Sequence, residues 1–369
     1  MEFKLCAPCH FGLEGPLAAE LRRLNMREVR AENGRVFFTG NEGDLARASL
    51  WLRTAERLLV ELGSFPAATF DELFEGVKAL PLSDYFSRDA AFPVKGHCLN
   101  SKLFSVSDCQ SIIKKAMADC LCQSYGLSWM PETGGTLQVR FSIMNDVASI
   151  YLDASGAGLH KRGYRPEHVP APLSETLAAA MVILSGYRGR GDFCDPFCGS
   201  GTLPIEAALL AKNRAPGLFR SFAAESWSFI PPSVWKAARE EAPTKEYDGD
   251  YHIFASDISP EALEISRKNA KNALLERYIS FNQSDASGFD LQTRRGVIVT
   301  NPPYGERLME KREAESLYAA FGAAFAQTEN WQLYLLSSHT EFERSFGRRA
   351  DKKRKLYNGM IKCDLFMYL

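Results

Sequence analysis

The chain has 369 residues, 46% of them hydrophobic and 24% charged, with a formal net charge of −1. That length suits two or three domains, each burying a core, and the near-neutral balance excludes a globally basic nucleic-acid binder. No apolar run reaches the roughly 18 residues that a spanning helix needs, and the opening MEFKLCAPCHFG lacks a secretory apolar stretch. Nine cysteines beside six histidines suit reduced thiols in the cytoplasm better than a disulfide framework. Cys6 and Cys9 have C-x-x-C spacing but no second pair at zinc-finger distance, so no metal is expected and both read as small buried side chains.

In chain order, PLAAELRRLN (16–25) has helical apolar spacing and GRVFFTG (34–40) reads as a glycine-bounded strand. The stretch 44–62 is predicted as one long helix, with Leu45, Ala48, Leu52, Ala55 and Leu59 on one face and Asp44 as N-cap. These make an α+β unit over 1–63. A second unit over 64–155 holds a helix at DELFEGVKAL, a strand at AFPVKGHCLN, and a helix over 107–126 capped by Ser107 or Asp108 and stopped by Gly126. Two strands turning at Asn145-Asp146 complete it. This unit carries no catalytic constellation and reads as a binding module. Gly and Pro then make 156–173 an extended linker. From 174 onward, strands at GDFCD, YHIFASD, ISFNQSD, GVIVTN and WQLYLLSS alternate with helical patterns, as in a parallel, doubly wound α/β sheet.

Two motifs carry chemistry. The strand GDFCD ends in Asp195 and runs into Pro196-Phe197-Cys198-Gly199-Ser200-Gly201-Thr202, a glycine-rich turn that opens a helix. Gly199 and Gly201 tolerate positive φ and let the backbone approach a ligand at the helix N-terminus. A dinucleotide fingerprint wants a third glycine and an acid about 20 residues on. Here Pro204 takes the glycine position, and the next strand-end acid, Asp257, comes 56 residues after Gly201. The 213–250 stretch, with Trp227 and Trp235, reads as an insertion. Asp257 and Asp285 end successive strands, where open α/β sheets bind ligands. Asp257 is placed to accept from ribose hydroxyls and Asp285 from an adenine amine; each also suits a helix N-cap.

About a hundred residues after the first motif, Asn301-Pro302-Pro303-Tyr304 follows the apolar strand GVIVT. An exocyclic amine on a base is a poor nucleophile, because its lone pair is delocalised into the ring. The side-chain oxygen of Asn301 and the Pro302 carbonyl can accept its two hydrogens and aim the lone pair. The prolines stiffen the turn, and Tyr304 offers a flat face for a base swung out of its stack. Together the motifs predict methyl transfer to an amino or amide nitrogen, in line and without a covalent enzyme intermediate. Cys194 and Cys198 read as packing beside the cradle.

On LDASGAGLHKRGYR, APLSETLAAA, DPFCGSGTLPIEAA, SDISPEAL, NPPYGERL and KRKLYNGMIKC, the chain resembles the class I S-adenosylmethionine-dependent RNA methyltransferases that carry a THUMP domain (the UPF0020-type family). Within them it is most similar to the guanine-N2 methyltransferases of large-subunit rRNA. The resemblance implies a Rossmann-like methyltransferase domain over 174–369, a THUMP RNA-binding domain at 64–155 and a ferredoxin-like segment before it. It implies S-adenosylmethionine contacts at Asp195, Pro196, Cys198, Gly199, Ser200, Gly201, Thr202, Asp257, Ile258, Asp285, Ala286 and Asn301. The target amine would lie at Asn301 and Pro302, with Tyr304 against the base. Arg165 and Glu175 fall where the family closes over cofactor and substrate.

RNA is the expected partner, rRNA before tRNA. The basic run from Arg344 to Lys355 is expected beside the active-site mouth, with Arg348, Arg349, Lys352 and Lys353 on phosphates. His160-Lys161-Arg162-Gly163-Tyr164-Arg165 is a second phosphate patch or a solvated loop. Some rRNA enzymes of this type are fused to a second methyltransferase domain; with Leu369 as the last residue, a single activity is expected. The alternatives are N6-adenine methylation of DNA, amide methylation of a protein glutamine, and non-catalytic RNA binding on a relict fold.

Overall fold

The computed structural model describes residues 1–166, 173–249, 251–288, 295–304 and 311–369. The first half runs β1 (Glu2–Pro8), α1 (Glu14–Arg23), β2 (Arg27–Glu32), β3 (Arg35–Asn41), α2 (Glu42–Trp51), β4 (Leu59–Pro66), α3 (Phe70–Lys78), β5 (Val94–Leu99), α4 (Val106–Tyr125), β6 (Val139–Met144) and β7 (Val147–Asp153). Its strands form one seven-stranded sheet in the order β2-β3-β1-β4-β7-β6-β5. The stretches 1–63 and 64–155 therefore share a sheet, because β4 crosses between them and pairs with β1 on one side and β7 on the other. The β6–β7 turn has Asn145 at φ +51° and Asp146 at φ +61°, the backbone a tight hairpin demands.

The helix predicted over 44–62 needs correcting. α2 stops at Trp51, and Leu52 is extended with ψ 124°. The Arg53 N–H donates to the Glu20 carboxylate at 2.7 Å, not to a helical carbonyl, and Leu59 pairs with Asp153 in β4. All five predicted apolar positions are buried, but by a helix, a turn and a strand in succession, which apolar spacing alone does not separate. The caps shift as well. Asn41 caps α2, its side chain accepting from Asp44 N–H at 3.0 Å while Asp44 accepts from Asn41 N–H in return. Ser105 caps α4, which ends at Gly126 with φ +63°.

The second half runs α5 (Glu175–Leu184), β8 (Asp192–Asp195), α6 (Thr202–Ala211), α7 (Pro232–Thr244), β9 (Ile253–Asp257), α8 (Pro260–Asn272), β10 (Ile279–Gln283), β11 (Gly296–Thr300), α9 (Lys311–Phe325), β12 (Trp331–Ser337), α10 (Phe342–Phe346), β13 (Lys352–Asn358) and β14 (Ile361–Tyr368). The sheet order is β10-β9-β8-β11-β12-β14-β13. Strands β8 to β12 are mutually parallel. The predicted parallel sheet is thus extended by an antiparallel hairpin, β14 pairing with β12 and β13 with β14. β8 sits between β9 and β11, so the connections diverge there and leave a crevice beyond the strand ends. Among the described residues, no helix is long and apolar enough to cross a membrane.

The two halves meet along a buried polar seam. The Arg162 and Glu206 side chains are 2% and 0% exposed and 3.3 Å apart. Tyr164 also donates to Glu206, at 3.1 Å. Arg162 reaches the carbonyls of Arg53 at 2.5 Å and Leu159 at 2.7 Å, while Arg53 donates to the Arg214 carbonyl at 2.8 Å. The His160–Arg165 stretch is therefore only partly solvent-facing: Arg162 and Tyr164 are core, and Lys161 is exposed. The insertion braces the same junction, with the Phe229 ring 6.4 Å from Phe3 and 5.4 Å from Tyr85.

Removing one partner of a buried ion pair strands the other charge and typically costs about 3–5 kcal/mol, whereas apolar replacement of both is often neutral. Glu206→Ala is expected to lower the urea-unfolding free energy by about that amount. Arg162→Met combined with Glu206→Leu is expected to recover most of the loss.

Candidate active site

Asp195 ends β8 and is fully buried. Its Oδ1 accepts from Thr300 Oγ1 at 2.6 Å and from Phe197 N–H at 3.2 Å. Burial pushes its carboxyl up to about 7 against those two hydrogen bonds, and the Asp257 charge adds to the rise. Asp257 closes the glycine turn from the next strand: Oδ2 accepts from Gly199 N–H at 2.9 Å and Oδ1 from Ser259 N–H at 3.0 Å. Ser259, not Asp257, caps α8.

The two glycines of the turn have different reasons. Gly199 has φ +52° and delivers its amide to Asp257. Gly201 has φ +81°, and a Cβ there would stand 2.2 Å from Ser266 Oγ, so close packing on α8 requires this glycine. As the N-cap of α6, Gly201 brings no capping side chain, which leaves first-turn N–H groups for a ligand. The Ser200 carbonyl is held by Asn269 Nδ2 at 2.9 Å. Pro196 is buried. So is Cys198, whose thiol burial raises well above its ordinary value; only its backbone lies on the turn.

Ile258, beside Asp257, is an apolar side chain 66% exposed. Asp285 is exposed and accepts from Ser287 Oγ at 2.5 Å and Ser287 N–H at 2.7 Å, which hold its carboxyl below the usual range. Ala286 is buried behind it.

Asn301 follows β11, the immediate neighbour of β8. Its Oδ1 accepts from the Tyr304 hydroxyl. Tyr304 is half-buried, and burial first, then the neighbouring Cys363, raises its phenol well above the ordinary range, while Asn358 opposes the rise. The free face expected of Tyr304 is thus turned partly into the protein, with its hydroxyl on the oxygen expected to receive the target amine. Tyr318 donates to the Pro303 carbonyl at 2.6 Å and steadies the turn. Among the described residues nothing donates to the Pro302 carbonyl.

One expected RNA contact lies elsewhere than anticipated. Arg165 is turned inward, donating to Thr202 Oγ1 at 2.8 Å, the Leu173 carbonyl at 2.8 Å and Glu175 Oε2 at 2.9 Å. It binds the cradle to buried Glu175, whose carboxyl is raised by burial, and has little left for a phosphate. The basic run lies on and just before the edge strand β13, three strands from β11. β13 runs toward the mouth, with Lys352 paired to Met367 and so level with Tyr334, Val299 and the Asp195 end of β8. Arg348 lies over the Tyr368 ring, near the start of β12. Arg348 pairs with Asp351 at 3.4 Å and Lys353 with Glu343 at 2.7 Å. Residues that sequence reasoning missed are Thr300, Asn269 and the pair Asn358 and Cys363. Thr300 adjoins a legible motif, but the others reach the site only through the fold.

Model matches cover the chain in three parts. Residues 4–59 match the RlmL ferredoxin-like domain, 67–153 the THUMP domain, and 162–366 the RMKL-like methyltransferase domain, UPF0020. The chain belongs to the UPF0020 methyltransferase family. Its mixed sheet is the class I methyltransferase fold. Among relatives of this family, "Putative RNA methyltransferase YpsC" of Bacillus subtilis is 45% identical over 370 residues, covering 100% of this chain and 96% of its own length. Ribosomal RNA large subunit methyltransferase K/L of Psychromonas ingrahamii is 33% identical over 372 residues, 98% of this chain but 49% of that protein. The chain thus spans about half the length of the K/L relatives. Among solved structures, a "predicted N6-adenine-specific DNA methylase" from Listeria monocytogenes is 44% identical with a TM-score of 0.95, covering 100% of this chain and 96% of its own. SMU.472, solved in complex with SAH, is 40% identical with a TM-score of 0.95, covering 100% and 98%.

The raised Asp195 carboxyl has a pH consequence. A folded-state value above the unfolded one contributes stability that is present in acid and is lost as pH rises through the folded value. Between pH 4 and 7, Asp195→Asn is expected to lose less stability than the wild type. The two unfolding profiles should diverge by on the order of 2–4 kcal/mol over that window. Parallel profiles would contradict the buried, proton-retaining Asp195.

Proposed function

We propose that this chain moves a methyl group from S-adenosylmethionine to the exocyclic N2 of a guanosine in RNA, and that the RNA is large-subunit rRNA. The observation that carries this reading is Asn301 at the end of β11, one strand from the uncapped turn after β8, with Thr300 and Asp195 hydrogen-bonded between them. When bound, S-adenosylmethionine supplies an electrophilic methyl group. The Asp257 carboxylate keeps lone pairs for ribose hydroxyls, Ile258 offers an apolar surface for a ring, Asp285 is open to an adenine amine, and first-turn amides of α6 receive acceptor groups.

Asn301 Oδ1 and the Pro302 carbonyl draw the two hydrogens of the target amine, localising its lone pair. Tyr304 yields Asn301 to the incoming base and packs against it. Cys194 and Cys198 are held as thiols by burial, which supports direct transfer over a covalent enzyme intermediate. The THUMP match and the names of YpsC and the K/L enzymes support RNA. The Listeria protein's name favours adenine in DNA, the reading ranked second because it leaves the THUMP module without a purpose. Exposed Arg349 and Lys352, without ion pairs among the described residues, would contact phosphates along the sheet edge.

Asn301→Ala separates this reading from RNA binding on a relict fold. Transfer of labelled methyl to unmodified rRNA is expected to fall at least about 100-fold, while calorimetric binding of S-adenosylmethionine changes far less. A variant that transfers at the wild-type rate would remove Asn301 from the chemistry.

A further inference from the structure

The β13–β14 hairpin projects past the sheet at the end where the active site lies. Ser337, the last residue of β12, pairs with Asp364, and the hairpin continues to the Asn358–Ile361 pair. At about 3.3 Å per residue, its loop stands roughly 10 Å beyond β12. Asn358 and Cys363 adjoin Tyr304, so the loop overhangs the reactive turn.

Gly359, at φ +63°, makes the two-residue loop possible. The other loop residue is Met360, 98% exposed. A polar residue would serve the turn equally well, yet the chain places an unbranched apolar side chain wholly in water. Behind it, Tyr357 packs edge-to-face on Phe11, with centroids 6.2 Å apart and planes at 65°, and Phe11 is itself 56% exposed. Tyr357 stands opposite Lys362 in register and two residues after Lys355, so the three share one face, opposite that of Asn358 and Cys363. Both lysines are exposed and carry no ion pair among the described residues; Asp364, opposite Lys355, is the acid of that face. The Arg354 guanidinium donates to the Gly12 carbonyl at 2.6 Å, and a Cβ on Gly12 would stand 2.7 Å from the Lys355 carbonyl. These contacts clamp the hairpin to the N-terminal loop and hold the aromatic pair in place.

Building on the RNA methyltransferase reading, we propose that this hairpin is the strand-opening element of the site. Met360 fills the gap that the target guanosine leaves in its base stack. The Phe11–Tyr357 pair, with Lys355 and Lys362 on the opposite face of the hairpin, takes a base and phosphate of the strand parted from the target. Apolar wedges and aromatic platforms suit this task because stacking is tolerant of sequence. The substrate class is accordingly a guanosine stacked within folded RNA.

The test is Met360→Ser, with Met360→Leu as the conservative control, on folded, unmodified large-subunit rRNA. The single-turnover methyl-transfer rate is expected to fall at least tenfold in Met360→Ser and to stay within twofold in Met360→Leu. Filter-binding affinity for the RNA and calorimetric affinity for S-adenosylmethionine are expected to stay within threefold in both. An unchanged rate in Met360→Ser, or an RNA affinity that falls as far as the rate, would overturn the wedge. A wild-type protein that binds S-adenosylmethionine yet methylates no RNA would overturn the underlying reading, and the wedge with it.

Discussion

The hydrogen bond from Thr300 Oγ1 to Asp195 Oδ1 joins the ends of two adjacent parallel strands inside the core. One strand end carries the glycine turn and the other carries Asn301. Because Asp195 is fully buried, water cannot replace either partner, and losing one would leave the other unsatisfied. The same carboxylate accepts from Phe197 N–H, so the start of the turn is set by the bond that places Asn301. On the far side, Asp257 repeats the device by accepting from Gly199. The spacing between the cradle and the Asn-Pro-Pro-Tyr turn is therefore a property of the sheet, fixed before any ligand arrives.

The relation between the two sheets rests on a different kind of interaction. Glu20, Arg53, Arg162 and Glu206 are buried charges, each engaged by side-chain or backbone partners. Such networks contribute little net stability compared with apolar packing, but misalignment strands a charge and is strongly disfavoured. Together with the Phe229 brace and the Arg354–Gly12 clamp, they hold the N-terminal sheet in one orientation on the catalytic sheet. On the proposed function, this sets the distance between the RNA that the first sheet holds and the nucleotide that reaches Asn301.

What the sequence disclosed and what it hid divide along physical lines. Asp195, Asp257 and Asn301 were legible because a strand-end polar residue, a glycine turn and a proline-stiffened turn are local patterns. The alternation of strands and helices likewise announced the doubly wound sheet. The helix predicted through Leu59 failed because buried apolar spacing is shared by helix and strand, and only the distant pairing with Asp153 decides between them. Gly201 has the positive φ that its turn position implies, whereas the close approach of Ser266, on another helix, is not legible in the spacing. Arg162 and Arg165 read as surface cations because their partners Glu206 and Glu175 lie 44 and 10 residues away. The antiparallel hairpin that carries the end of the basic run to the sheet edge is likewise set by pairing with β12, which no local pattern announces. The hydroxyl of Tyr304 on Asn301 is a contact that no spacing foretells.

The most direct test of the central claim is the identity of the methylated nucleoside. The protein, labelled S-adenosylmethionine and either unmodified large-subunit rRNA or unmethylated DNA are incubated, and the product is digested to nucleosides and separated. The account predicts label in N2-methylguanosine from the rRNA and none from the DNA. Label in N6-methyladenine from the DNA would contradict it.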